Sequence, residues 1–375
     1  MQGVLSLDAI DLQGRTVLYR VDVNAPLNPI DKSLLDDSRL KMIKPTLEIL
    51  KESKVVILAH QSRPGKSDFS NMSKHSERLS EIIGREIMFI PDICSDSTIE
   101  LIKNMSDGDI IFLDNMRSHI EEYGTKYEHW RDTESSEIVT KLSSVADLYV
   151  SDAFAAAHRS SPTLTGFAHC LPCFPGQLMM DELSNLDIAT KNPPRPYLAI
   201  LGGAKCDDSL RVALNLIEKE IVDKIAPVGL VGNLMLWANG NDIGGPNKEF
   251  LKNTLAKDFD ESWDMAIKLI KNYSELLILP VDFAVEINDE RIPMSLDQLP
   301  TDYPIYDVGI SSLMNLRPII LDSKCILWNG PASFFERPGF AFGTIEILNM
   351  CVETNAITII GGGHTSALVS SRGVA

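Results

Sequence analysis

The sequence predicts an α/β protein of two doubly wound, parallel-sheet domains joined by a hinge helix. Three observations predict it. Apolar runs of strand length alternate with amphipathic segments along the chain, the pattern of parallel sheets covered by helices. The run Leu178-Met-Met-Asp-Glu-Leu-Ser-Asn-Leu-Asp-Ile188 has helical spacing and stops at Asn192-Pro-Pro-Arg-Pro196, which cannot continue a helix. The 375 residues are enough for two cores. The expected division is residues 1–176, a connecting helix over 177–191, and residues 192–375.

In the first half four strands are expected, each running into a loop: from Thr16 to Asn24, Val55 to Arg63, Ile110 to Arg117 and Asp147 to Phe154. Helical patterns lie between them over 39–52, 75–85 and 135–146. Each strand ends in, or runs shortly into, an arginine: Arg20, Arg63, Arg117 and Arg159. Ligands of open α/β sheets bind outside the carboxyl ends of the strands. Guanidinium groups gathered there suit carboxylate and phosphate through bidentate bonds. Any one of these arginines alone reads equally as a partner for a surface acid.

The second half has a different texture. Tyr197-Leu-Ala-Ile-Leu201 reads as a buried strand broken by Gly202 and Gly203, with Asp207 and Asp208 capping the helix that follows. Lys205 then stands in a strand-to-helix turn, where free N–H groups and the helix dipole favour an anion, although many α/β turns look alike. Further strands are expected at 227–233, 276–282, 325–331 and 357–363, ending in Gly, Asn, Pro or Asp. Gly361-Gly362-Gly363 is a second glycine-rich turn. One half is patterned for a small, highly charged anion and the other for a ligand cradled by backbone, such as a nucleotide.

Composition narrows the partners. Hydrophobic content of 44% and charged content of 23% suit a soluble globular protein. A net charge of −17 argues against nucleic acid and anionic membrane as partners. The N-terminus lacks a basic n-region, and the run 225–237 is too short and too broken to span a bilayer, so a cytoplasmic location is expected. Six dispersed cysteines form no disulfide framework. Cys170 and Cys173 make a C-x-x-C beside His169; without a second pair they read as ordinary thiols. Neither G-x-G-x-x-G with a following acid nor G-x-x-x-x-G-K-[ST] occurs, which disfavours a nicotinamide oxidoreductase and a P-loop ATPase.

Arg20-Val-Asp-Val-Asn-Ala-Pro26, Ala59-His-Gln-Ser-Arg-Pro64, Leu113-Asp-Asn-Met-Arg117 and Ser151-Asp-Ala-Phe154 with His158-Arg159 resemble, in order, the N-domain motifs of the phosphoglycerate kinase family. Leu201-Gly-Gly-Ala-Lys205, Leu279-Pro-Val-Asp282, Trp328-Asn-Gly-Pro331 with Glu336, and Gly361-Gly-Gly363 resemble its C-domain motifs. The Ala-His-Gln-Ser-Arg-Pro form and Gly363-His364 are similar to the archaeal branch.

The resemblance implies two Rossmann-like lobes and reversible phosphoryl transfer between ATP and the carboxylate of 3-phosphoglycerate, giving ADP and 1,3-bisphosphoglycerate. It implies that Asp22, Asn24, Arg39, His60, Arg63, Arg117 and Arg159 hold the phosphoglycerate. Gly203, Lys205, Asn329, Glu336, Gly361, Gly362 and Gly363 would meet the nucleotide, and Arg39 with Lys205 the phosphoryl in flight. Mg²⁺ as cofactor, hinge closure and a monomer are also implied.

Three departures accompany it. Ser209 stands where most of the family has a second lysine. His364 stands at the usual metal-binding aspartate; imidazole is a poor Mg²⁺ ligand, which leaves Asp208 as an oxygen donor to consider. The family chain also normally runs on beyond the position of Ala375. A fragment, or a weak or inactive phosphate- and nucleotide-binding homologue, is the alternative this raises.

Overall fold

The computed structural model describes residues 5–337, 339–362, 365 and 369. The chain forms two compact units, Met1–Ser184 and Asn185–Ala375. The division falls inside the helix Gln177–Thr190.

The first unit carries β1 (Thr16–Arg20), β2 (Lys54–Leu58), β3 (Met88–Ile90), β4 (Ile110–Leu113), β5 (Leu148–Ser151) and β6 (Cys173–Pro175). They form one parallel sheet in the order β3-β4-β2-β1-β5-β6, which reverses direction at β1. Side chains alternate faces along a strand, and here both faces are covered. Val17, Tyr19, Val55 and Ile57 enter one core, while Leu18, Val56 and Leu58 enter another. That is why these strands read as unbroken apolar runs.

The helix expected over 39–52 is two pieces, Ser38–Met42 and Lys44–Ile49. Pro45 lies in the first turn of the second piece, where its missing N–H costs nothing. Gln177–Thr190 starts on a buried carboxylate: Asp152 accepts from Tyr19 Oη (2.6 Å), Thr46 Oγ1 (2.6 Å) and the Met179 N–H (2.8 Å).

The second unit carries β7 (Tyr197–Leu201), β8 (Lys224–Pro227), β9 (Asp282–Ile287), β10 (Glu290–Ser295), β11 (Ile305–Val308), β12 (Cys325–Asn329) and β13 (Ile357–Gly361). Its parallel sheet has the order β13-β12-β7-β8, again doubly wound, with Ala199 and Leu201 facing one core and Leu198 and Ile200 the other. Beside it lies an antiparallel sheet, β10-β9-β11, that the apolar runs did not reveal. Its hairpin turns at Asn288 and Asp289, with φ of 51° and 64°, the geometry of a tight two-residue turn.

Two expected strands need correction. The strand near 227–233 ends at Pro227, and the helix Gly229–Ala238 begins beyond it. Residues 276–282 make only an isolated bridge, Ile225 to Leu277, before β9 starts at Asp282. Pro280 offers no N–H to a ladder.

Candidate functional site

Every site residue predicted in the first unit, Arg39 apart, lies in the segment that follows β1, β2, β4 or β5, Arg159 beyond the short helical turn Phe154–Ala156. Asp22 Oδ1 accepts from Arg39 Nη1 at 2.7 Å and from the Asn24 N–H at 3.2 Å. Asn24 Oδ1 accepts from the Ser62 N–H at 2.7 Å. Ser62 has φ 55°, a left-handed conformation uncommon outside glycine. Three bonds hold it there: its N–H to Asn24, its Oγ donating to Asp68 (2.6 Å), and its carbonyl accepting from Arg117 Nη1 (2.6 Å). The loops after β1, β2 and β4 are thereby stitched into one surface.

His60 is buried at the floor of that surface. Burial, then the neighbouring charges of Arg20, Arg159 and Arg39, push its pKa down to about 2, so the imidazole is neutral. Arg39 and Arg63 are exposed, while Arg159 is half-buried and donates from Nε to His158 Nε2 at 3.4 Å. Asp22, Asn24, Arg39, His60, Arg117 and Arg159 thus converge by contact or by field. Arg63 sits on the same turn, next to Ser62.

Arg20 differs from the other three arginines that follow strand ends. It is 1% exposed, and its guanidinium donates to the carbonyls of Val21 and Leu58. A strand-end arginine can be an exposed ligand or a buried tie, and its spacing in the sequence is the same in both cases.

The second unit builds its site from turns. Gly202 donates to the Asn329 carbonyl (2.8 Å) and Gly203 to the Pro331 carbonyl (2.9 Å), locking the turn after β7 against the turn after β12. Gly203 and Gly330 have φ of 79° and 85°, and a Cβ on Gly330 would overlap the Gly202 carbonyl. A Cβ on Gly229, after β8, would lie 2.7 Å from the Pro331 carbonyl oxygen. Gly361 and Gly362, at the end of β13, approach the side chain of Asn329. Four strand ends therefore meet with almost no side chains between them, so backbone can come close to a ligand.

Lys205 is exposed at the N-cap of the helix Cys206–Glu218. Asp207 and Asp208 lie inside the first turn and do not cap it, a correction to the sequence reading. Ser209 is buried and donates to the Gly202 carbonyl at 3.3 Å, so that position supports the turn from beneath. Glu336 is exposed on the segment after β12. Gly363 and His364 lie outside the described residues.

Asp208 is exposed, 3.7 Å from Arg211. Among the described residues no group of three His, Cys, Asp or Glu could hold a metal alone. Mg²⁺ commonly takes one or two carboxylates and completes its shell with substrate phosphates, so Asp208 suits it in donor chemistry. Cys170 and Cys173 are exposed free thiols. No helix among the described residues is long and apolar enough to cross a membrane.

A groove of about 140 Å³ opens beside the Gly229 turn, walled by Leu230, Pro246, Phe250, Ile305 and Tyr306. Sequence reading missed it, because its walls come from three segments remote along the chain. The helix start after Gly229 was the available signal.

The phosphoglycerate kinase family model matches residues 7–375. The phosphoglycerate kinase of Methanothermus fervidus is 41% identical over 98% of this chain and 89% of its own. That of Thermoplasma acidophilum is 36% identical over 100% of this chain and 91% of its own. Among solved structures, phosphoglycerate kinase from Pyrococcus horikoshii OT3 superposes with a TM-score of 0.88 at 35% identity, covering 99% of this chain and 91% of its own. The sequence motifs, the two α/β units and these full-length similarities agree: the chain belongs to the phosphoglycerate kinase family.

Proposed function

We propose that this chain, a phosphotransferase by its family, holds 3-phosphoglycerate in the first unit and ATP or ADP in the second. Arg63, Arg117, Arg159 and neutral His60 take the resting phosphate. Asp22 and Asn24 take the hydroxyl and carboxylate region, with Asp22 also orienting Arg39. The glycine turns at 202–203, 330 and 361–362, with Gly363 next in the sequence, follow the nucleotide phosphates, Asn329 steadies them and Glu336 reaches the ribose. The apolar groove by Leu230 and Tyr306 takes the base. Arg39 and Lys205 both serve the phosphoryl group in flight.

The chemistry asks little else of the protein. Phosphoryl transfer needs alignment and neutralisation of charge on three equatorial oxygens more than a covalent nucleophile. The acceptor carboxylate is already ionised, so no general base is required. Mg²⁺, with Asp208 as a protein oxygen donor, would add charge neutralisation at the phosphates. Residues 177–190 join the two half-sites, and transfer after closure about this helix would exclude water that could hydrolyse ATP. A cytoplasmic monomer fits a reaction between small soluble substrates.

One observation carries this reading: a guanidinium-rich site at strand ends in one unit, and a side-chain-poor glycine site at strand ends in the other. The test is a coupled assay. ADP should form from ATP only when 3-phosphoglycerate and Mg²⁺ are both present. No turnover, with each ligand still raising the melting temperature, would favour the inactive-homologue alternative.

A further inference from the structure

We propose that Arg20 is a positioning residue: buried with Glu122 behind the strand ends, it holds His60 as the Nε2–H tautomer and so makes it a hydrogen-bond donor to the acceptor's phosphate. The inference rests on the first unit being the phosphoglycerate half-site. Arg20 Nη2 lies 3.0 Å from His60 Nδ1. A guanidinium donates and cannot accept, so Nδ1 must offer its lone pair. A neutral imidazole then carries its one proton on Nε2. The titratable and charged groups acting on His60 are Arg20, Arg159, Arg39 and His75, and with burial they disfavour a second proton. His60 is thus a neutral, fixed-direction donor among cations.

The same guanidinium links the other loops. Arg20 Nη1 donates to the Val21 carbonyl at 2.8 Å and the Leu58 carbonyl at 3.2 Å, bridging the ends of β1 and β2. Nη2 is 3.8 Å from Glu122 Oε1, in a pair whose side chains are 1% and 2% exposed. Glu122 accepts from Ser161 Oγ (3.0 Å), Thr163 Oγ1 (2.6 Å) and the Thr163 N–H (2.9 Å). Glu122 follows Arg117 in the chain, and Ser161 follows Arg159. One buried ion pair therefore touches His60 directly and ties together the chain segments that follow Arg117 and Arg159. Such a pair is a weak source of net stability, because desolvation offsets attraction, which leaves positioning as its role in this proposal.

The test begins with the unligated full chain carrying ¹⁵N-labelled histidine. Long-range ¹H–¹⁵N correlation should show His60 protonated at Nε2 and unchanged between about pH 5 and 8, where an ordinary histidine would titrate. A proton on Nδ1, or a titration in that window, overturns the proposal. Two variants then separate positioning from folding. Arg20→Lys keeps a cationic donor and should keep the tautomer, with KM for 3-phosphoglycerate within about threefold of wild type. Arg20→Met combined with Glu122→Met leaves no unpaired buried charge. It should lose the single tautomer and raise that KM by tenfold or more, on the order expected for a lost charge-assisted bond, with KM for ATP nearly unchanged. A double variant with the tautomer intact, or with KM for 3-phosphoglycerate unmoved, overturns the proposal. If the double variant does not fold, loss of the tautomer in Arg20→Lys overturns it and retention supports it. Absence of wild-type turnover would overturn only the functional reading, since the tautomer is measured without substrate.

Discussion

In the first unit the loop after β1 presents a carboxylate and an amide, and those after β2, β4 and β5 present guanidinium and imidazole groups, held by side-chain bonds such as Asn24 to Ser62 and Arg117 to Ser62. In the second unit the turns after β7, β8, β12 and β13 present backbone, held by Gly202 to Asn329 and Gly203 to Pro331. Both sites stand at the carboxyl ends of parallel sheets, where the strand order reverses. They divide the problem differently. A site made of charged side chains must bury ionisable scaffolding to hold them. A site made of backbone must keep side chains out. The first is therefore vulnerable to protonation, the second to an added methyl group.

Acid should show the largest difference. His60 and His75 are buried, and burial first, then neighbouring charge in the case of His60, depresses their pKa from 6.5 to about 2 and about 4. A depressed histidine contributes stability that is complete above pH 6.5 and is lost as pH falls through the folded value. Each costs the first unit about 1.4 kcal/mol per pH unit in that window. In the second unit, burial raises the Asp307 carboxyl from 3.8 to about 6 in spite of Arg291. A raised carboxyl contributes stability below its unfolded value and loses it as pH rises through about 6, so acidification relieves this unit. Protein held at about pH 4.5 and pulse-labelled for hydrogen exchange should lose protection first in peptides from residues 5–176. Earlier loss from residues 197–362, or simultaneous loss, would contradict the comparison.

The two sites should become equal where they serve the same group. Arg39→Ala and Lys205→Ala should each lower turnover by roughly 10³-fold, the scale of other charge-neutralising groups in phosphoryl transfer. Arg39 already has a partner in Asp22, 2.7 Å away, while Lys205 stands exposed at a helix start. Losing Arg39 also leaves Asp22 uncompensated at the proposed acceptor site, so the KM of that variant for 3-phosphoglycerate should rise as well. Steady-state kinetics on both variants decides this; near-normal kcat in either removes that residue from the transfer step.

The strands β1, β2, β4, β5, β7, β12 and β13 were legible because a strand covered on both faces must be apolar throughout, and the glycine turns because a turn pressed against backbone must be glycine. The shorter strands β3 and β6 were not, since three residues carry no period. The hairpin β9–β10 was signalled by Asn288-Asp289 between alternating runs, a cue masked by the apolar stretch before Pro280. Arg20 was legible in position and not in role. Its partner Glu122 is 102 residues away and joins it only once β1 and β4 share a sheet. The groove beside the Gly229 turn failed for the same reason: side chains from 230, 250 and 306 meet only through tertiary packing.

The smallest effect sharpens the comparison most, because it separates binding from stability. Arg63 is exposed, so Arg63→Ala should raise KM for 3-phosphoglycerate by about 10- to 100-fold, as expected for a lost charge-assisted bond, with little change in melting temperature. Gly330→Ala should do the reverse of that split. Its φ of 85° and the Gly202 carbonyl in the path of a Cβ leave an alanine no relaxed position. Overpacking of that kind costs about 1–3 kcal/mol, with further strain from the left-handed backbone. Because the same turn lies in the proposed nucleotide site, KM for ATP should rise together with the loss of stability, while KM for 3-phosphoglycerate stays. Thermal melts and both KM values on the two variants give the answer. A Gly330→Ala protein that melts normally and binds ATP normally would mean that the close approach of these turns is not what shapes the second site.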